Sequence, residues 1–281
     1  MRSLGTSTRN NGQKGSTPLV PSWLLDQEKT QGESGTSQDI TNQSIEVLQN
    51  GNPRRFTTPR KNFTRYVKSE GRDGESLHRA LSGYVRHSVG GTHNAVTRLG
   101  AARSTTANLF YILGQTVEKN WNVQVDNRPL GLLTGMTVEK AIGSLIDILC
   151  PDGGTEDESI ARNALAATVD DIPELQKIPL GKINEAILTL IVKNYMAHVI
   201  MLRILNDIGN KIIQLPKDNN TIGIIATQLE DLLKGAVSDS FNEELKDRNL
   251  TEFGSVELKR ITDCIYERTF EVLMRLGETD E

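Results

Sequence analysis

Four histidines, His78, His87, His93 and His198, are the side chains in this chain best suited to proton transfer or metal binding near neutral pH. The first three are close in sequence but separated by nine and six positions. These spacings do not place them on one helix face as His-x-x-x-His would, and no H-E-x-x-H occurs. They therefore read as solvated or locally capping residues, and a cryptic enzyme built on His87 or His93 is the weakest of three functional readings. His198 lies in the most apolar stretch of the chain and reads as a core histidine with a polar partner. Cys150 precedes Pro151 with no histidine beside it, and Cys264 falls on an apolar stripe where a thiol packs. Neither cysteine belongs to a C-x-x-C pair, which fits a reducing, cytoplasmic setting. No G-x-x-x-x-G-K-[ST] or G-x-G-x-x-G phosphate loop is present. The expectation is no catalytic residue, no metal and no resident cofactor.

Basic residues offer a different chemistry. Residues 1–103 carry 15 Lys and Arg against 8 Asp and Glu, a net +7, while 104–281 nets −11. Within 53–103 the balance is 11 to 3. The segment PRRFTTPRKNFTRYVKSEGR, residues 53–72, alternates Arg54, Arg55, Arg60, Lys61, Arg65 and Lys68 with Phe56, Phe63 and Tyr66. Its cations, with Arg86 beyond, would neutralise phosphates, and its aromatics would stack on bases. The same residues would suit an acidic protein groove, or a strap whose aromatics pack on its own domain. Pro53 and Pro59 favour an extended start.

A third feature is GSTPLVPSWLL, residues 15–25, set in a tail of Gly, Ser, Thr, Asn and Gln. Such a tail cannot bury enough apolar surface to fold, and it accounts for an apolar fraction of only 37%. Within it, Pro18 and Pro21 restrict the backbone while Leu19, Val20, Trp23 and Leu24 supply apolar anchors, a combination suited to docking on a partner. Packing on the protein's own helices is the plain alternative.

The elements that must carry these groups are helical. Leu77, Leu81, Tyr84, Val85 and Val89 follow a helical period that Gly90-Gly91 ends. A second, longer helix follows over THNAVTRLGAARSTTANLFYILGQTVEKN. Thr137 caps VEKAIGSLIDIL, and Thr155 with Glu158 makes a capping box for a helix reaching Val169. Further helices span about 182–208, 221–235 and 255–276, with Ser255 as N-cap and Gly277 at the last end. The stretch at 186–205 is broken by Lys193, Asn194, His198 and Arg203, so it reads as a core helix and not a membrane span. The opening MRSLGTSTRN has no apolar signal region. The chain is thus expected to be mostly α: a disordered tail with a docking motif over 1–52, a basic, aromatic linker over 53–72, and a bundle-like helical domain over 73–281.

Several of these stretches resemble the QatB family. They are Gly5-Thr6-Ser7 with the later Gly15 to Leu24; Arg55-Phe56, Arg60 and Phe63-Thr64-Arg65-Tyr66; and Tyr84-Val85-Arg86-His87-Ser88-Val89-Gly90-Gly91 followed by Arg98-Leu99-Gly100-Ala101. The resemblance spans about residues 5–110. It implies a component of the bacterial four-gene Qat anti-phage cassette, alongside an ATPase, a QueC-like enzyme (QatC) and a TatD-like nuclease. It further implies that QatC trims the N-terminus and joins a deazaguanine to an exposed glycine through an amide. Here that glycine is Gly5, behind Met1-Arg2-Ser3-Leu4, so its exposure requires cleavage after Leu4; Gly12 and Gly15 are the fallback sites. The alternative is a nucleic-acid-binding adaptor that uses the basic segment 53–103 to bring the nuclease or ATPase to its substrate.

Overall fold

The computed structural model describes residues 54–125, 127–150, 154–209, 219–246, 248–249 and 253–278. All of them belong to one compact unit, Gln49–Glu281. Gly5 and the Pro18–Leu24 cluster lie outside the described residues, as does the tail expected over 1–52.

Among the described residues ten α-helices build the domain: α1 (Thr57–Lys68), α2 (Gly74–Gly83), α3 (Thr92–Thr97), α4 (Gly100–Val117), α5 (Val138–Ser144), α6 (Ile146–Leu149), α7 (Glu156–Asp171), α8 (Glu185–Ile204), α9 (Asn219–Leu245) and α10 (Ser255–Arg275). Two π-helical turns continue α2 and α8, at Tyr84–Ser88 and Leu205–Gly209. Among the described residues the only ladder is a two-residue antiparallel pair, Gln124 with Pro129 and Val125 with Arg128.

At the centre lies α8. Leu188, Ile191, Val192, Tyr195, Met196, Val199, Ile200 and Ile204 are all buried, so its apolar surface runs around the helix. A helix apolar on all sides needs cover on all sides, and α4, α7 and α9 pack against it. Its length and composition would suit a membrane span, but two thirds of that window is buried inside the domain. The Asn184 side chain caps it by accepting from the Ile187 amide at 2.9 Å. In turn α10 packs on α3, α4 and α9, and α1 packs on α2.

Local signals placed several boundaries. Thr155 and Glu158 form the reciprocal capping box at α7, with bonds of 2.8 and 3.2 Å. Gly90 and Gly91 take φ of +82° and +105°, which stops the chain after the first π turn.

Tertiary contacts moved other boundaries. The long helix expected from Thr92 divides at Arg98–Leu99, because the Asp157 carboxylate takes the Ala101 amide at 2.6 Å and starts a new helix there. The helix expected after Thr137 divides at Leu145. Gly254, not Ser255, is the N-cap of α10. At the other end of α10, Gly277 packs so closely on α2 that a Cβ there would lie 2.8 Å from the Cβ and Oγ of Ser82.

The largest departure concerns residues 53–72. Thr57–Lys68 is a helix, where Pro53 and Pro59 favoured an extended start. Pro59 sits in its first turn, where an amide hydrogen has no intrahelical partner to lose. Pro59, Phe63, Tyr66 and Val67 are buried at helical spacing. The Tyr66 hydroxyl donates to Gln228 Oε1 of α9 at 2.7 Å. Burial leaves Phe63 and Tyr66 unable to stack on bases.

Candidate functional site at the root of the tail

Where the described chain begins, its first residues are fixed to the body. The Arg55 carbonyl accepts a hydrogen bond from Ser88 Oγ at 2.9 Å. Phe56 lies beside Tyr84, ring centroids 6.4 Å apart, with the guanidinium groups of Arg55 and Arg60 over it at 4.9 and 5.1 Å. One turn later Arg60 donates to the Asp207 carbonyl at 2.7 Å.

Asp207 is the hub of this region. Its carboxylate accepts from the Tyr84 hydroxyl at 2.8 Å and from Arg98 at 3.1 and 3.3 Å. Arg203 Nε stands 3.6 Å away, four residues earlier on the same helical rise. Tyr84 and Asp207 each sit on one of the two π-helical turns. Such turns add a residue to a helix and re-aim the side chains that follow. The Asp207 side chain is 8% exposed and that of Arg203 10%. Burial, the adjoining carboxylate and the hydrogen bond to it drive the Tyr84 hydroxyl far above its ordinary range, so it stays a donor. Burial, then the charge of Arg98, depresses the Arg55 pKa. Buried guanidinium donors outnumber acceptors here: Nε of Arg60, Arg98 and Arg203 has no hydrogen-bond partner among the described residues.

A second charged cluster ties α7, α8 and α9 together. His198 Nε2 lies 2.9 Å from Asp171 Oδ2, and Lys234 Nζ lies 3.0 Å from the same oxygen and also pairs with Glu230. Asp171, His198 and Glu230 place potential metal ligands within 4.8 Å of one another. The Lys234 ammonium already supplies the positive charge there, so the arrangement reads as an internal ion-pair network. Burial acts to raise the Asp171 pKa, but hydrogen bonds with Glu230 and Lys234 and the charges of His198 and Lys234 outweigh it and hold the pKa low.

The remaining histidines, cysteines and basic residues are dispersed. His87 and His93 are exposed and His78 half-buried. Burial raises the thiol pKa of Cys150, which contacts Thr105 Oγ1 at 3.5 Å, and of Cys264, so neither is poised as a thiolate. Arg86 is engaged at the far end of α10, donating to the Met274 carbonyl at 3.3 Å and pairing with Glu278. Lys61, Arg65 and Lys68 are exposed on the outer face of α1, whereas Arg55 and Arg60 turn toward Phe56 and the Asp207 hub.

Reading the sequence alone missed Asp207. Its signal was present, since Arg203 in an apolar helix demands a buried counter-charge, and Asp207 is four residues on. A family model described as "QatB: Qat anti-phage system associated protein QatB" matches residues 90–273. That span includes Arg98, Arg203 and Asp207 but neither α1 nor Tyr84. No curated protein and no solved structure matches the chain.

Proposed function

The chain belongs to the QatB family of Qat anti-phage system proteins, and from that premise we propose that its domain is a non-enzymatic holder for an N-terminal substrate tail. Membership of such a system implies partner proteins. On this reading a QueC-like partner, QatC, docks on Pro18, Leu19, Val20, Pro21, Trp23 and Leu24, cleaves after Leu4 and modifies Gly5. Water hydrolyses the Leu4–Gly5 bond. The freed glycine amine then attacks an ATP-activated carboxyl of a deazaguanine precursor; the activating group leaves, an amide forms and the amine gives up a proton.

The observation that carries this reading is the fixed root. The Ser88 bond to the Arg55 carbonyl and the Arg60 bond to Asp207 tie the start of α1 to the body. A tether fixed at one end keeps its free end at high local concentration near a partner bound to the same body. The glycine amine, with a pKa of about 8, is unhindered and needs only deprotonation by the partner site. Intact-mass analysis after co-expression with the whole cassette tests the reading. Loss of Met1 to Leu4 with added mass on Gly5 supports it; an unchanged Met1 terminus with defence intact overturns it.

A further inference from the structure

Most arginines on the body surface have a carboxylate partner: Arg72 with Glu70, Arg79 with Glu75, Arg162 with Asp147 and Arg268 with Glu243 and Glu244. The outer face of α1 differs. Its sequence, TTPRKNFTRYVK, holds four cations and no acid. Lys61, Arg65 and Lys68 are exposed and form no ion pair among the described residues. With Thr57, Arg60 and Thr64 they line one surface depression. This unpaired face stands on a chain whose residues 104–281 net −11.

We propose that this face of α1 is a contact for the phosphate backbone of nucleic acid. A protein partner would need apolar or aromatic anchors, and the aromatics of α1 are turned inward, Phe63 at 3% exposure and Tyr66 at 1%. What the face presents is charge and hydroxyl groups. Lys61 to Lys68 spans about 10 Å along the helix at 1.5 Å per residue, the rise of about three phosphates on one strand at 3.4 Å each. Without stacking aromatics or base-reading side chains, recognition is independent of sequence and has no preference for single strands. The proposal stands apart from tail processing, because it needs neither Gly5 nor a partner enzyme.

The test uses the full-length protein, expressed without the rest of the cassette, and labelled mixed-sequence DNA of about 30 nucleotides, duplex and single-stranded, over a range of salt. Three phosphate contacts predict a slope of log K against log salt of about −2.7 for duplex and about −2.1 for single strands. For duplex that is about 40-fold weaker binding at 200 mM salt than at 50 mM. The triple variant Lys61→Gln, Arg65→Gln, Lys68→Gln should keep the parent's thermal midpoint, since all three side chains are exposed, and lose both binding and slope. A control triple, Lys177→Gln, Lys182→Gln, Lys259→Gln, changes net charge equally at exposed positions elsewhere and should bind like the parent. Absence of binding at low salt overturns the proposal. So does an equal loss in the control, or displacement by polyglutamate as effective per charge as by DNA, which would make the partner an acidic polypeptide.

Discussion

Replacing Asp207 by Asn tests how the tail root is held. The change keeps size and shape and removes one charge. In the native protein that carboxylate faces Arg98 at 3.1 Å, Arg203 at 3.6 Å and the Tyr84 hydroxyl at 2.8 Å. Asparagine still accepts from Tyr84, so the loss is mainly the counter-charge of two guanidinium groups. Removing one partner of a buried pair typically costs about 3–5 kcal/mol, because the remaining charge stays buried. The Arg98 side chain is 27% exposed and recovers part of its hydration, while that of Arg203 is 10% exposed and, among the described residues, otherwise pairs only with Glu156 at 3.8 Å. The lower end, about 3 kcal/mol, is therefore expected. For a domain of this size it corresponds to a fall of about 6–12 °C in thermal midpoint. Denaturant unfolding gives the energy directly, and limited proteolysis near Arg54 reports whether the root has loosened. The double variant Asp207→Asn, Arg203→Met should be less destabilised than the two single variants combined, since it removes the stranded charge along with its partner. A single-variant cost below about 0.5 kcal/mol, the scale of an exposed ion pair, would show that Asp207 is not a buried counter-charge.

Other outcomes follow from the same structure. Gly277→Ala drives a Cβ to 2.8 Å from Ser82 and should destabilise by about 1–3 kcal/mol in denaturant unfolding; an unchanged midpoint would show that the end of α10 yields freely. The Asp171 pKa is held low in the folded state, so its contribution is present above the ordinary carboxylate value of about 4 and lost as pH falls through the depressed folded value. Asp171→Asn should therefore lower the midpoint at neutral pH and flatten the acid limb of the stability profile; parallel profiles would contradict this. Trp23→Ala should impair modification of Gly5, read by intact mass, and leave the far-ultraviolet spectrum and thermal midpoint of the body unchanged; unimpaired modification removes Trp23 from the docking site.

Helices whose caps and stops are local were legible in the sequence. Thr155 and Glu158 cap α7 as their spacing implies, and Gly90-Gly91 stops the chain where a positive φ favours glycine. The breaks at Leu99 and Leu145 were not legible. The first depends on Asp157, brought by α7 from more than fifty residues away, and no local pattern announces it. For 53–72, a strap whose aromatics pack on its own domain fits the burial of Phe63 and Tyr66, but charges and prolines obscured its helical form, although Pro59, Phe63, Tyr66 and Val67 fall at i, i+4, i+7 and i+8. Of the tail root, Arg55, Arg60 and Tyr84 stood in stretches already singled out. Asp207 was visible only through the principle that Arg203 needs a partner. The family was legible from residues 5–110, and the family match over 90–273 reaches it through the helical body instead.

Holding a tail for processing at Gly5 is the role proposed for this domain. Intact-protein mass spectrometry of the chain purified from cells carrying the full cassette, with fragment-ion sequencing of the N-terminus, tests it most directly. The expected result is a terminus that begins at a mass-shifted Gly5, and the unmodified chain when QatC is omitted. A chain that keeps Met1, from cells in which defence is intact, would contradict it.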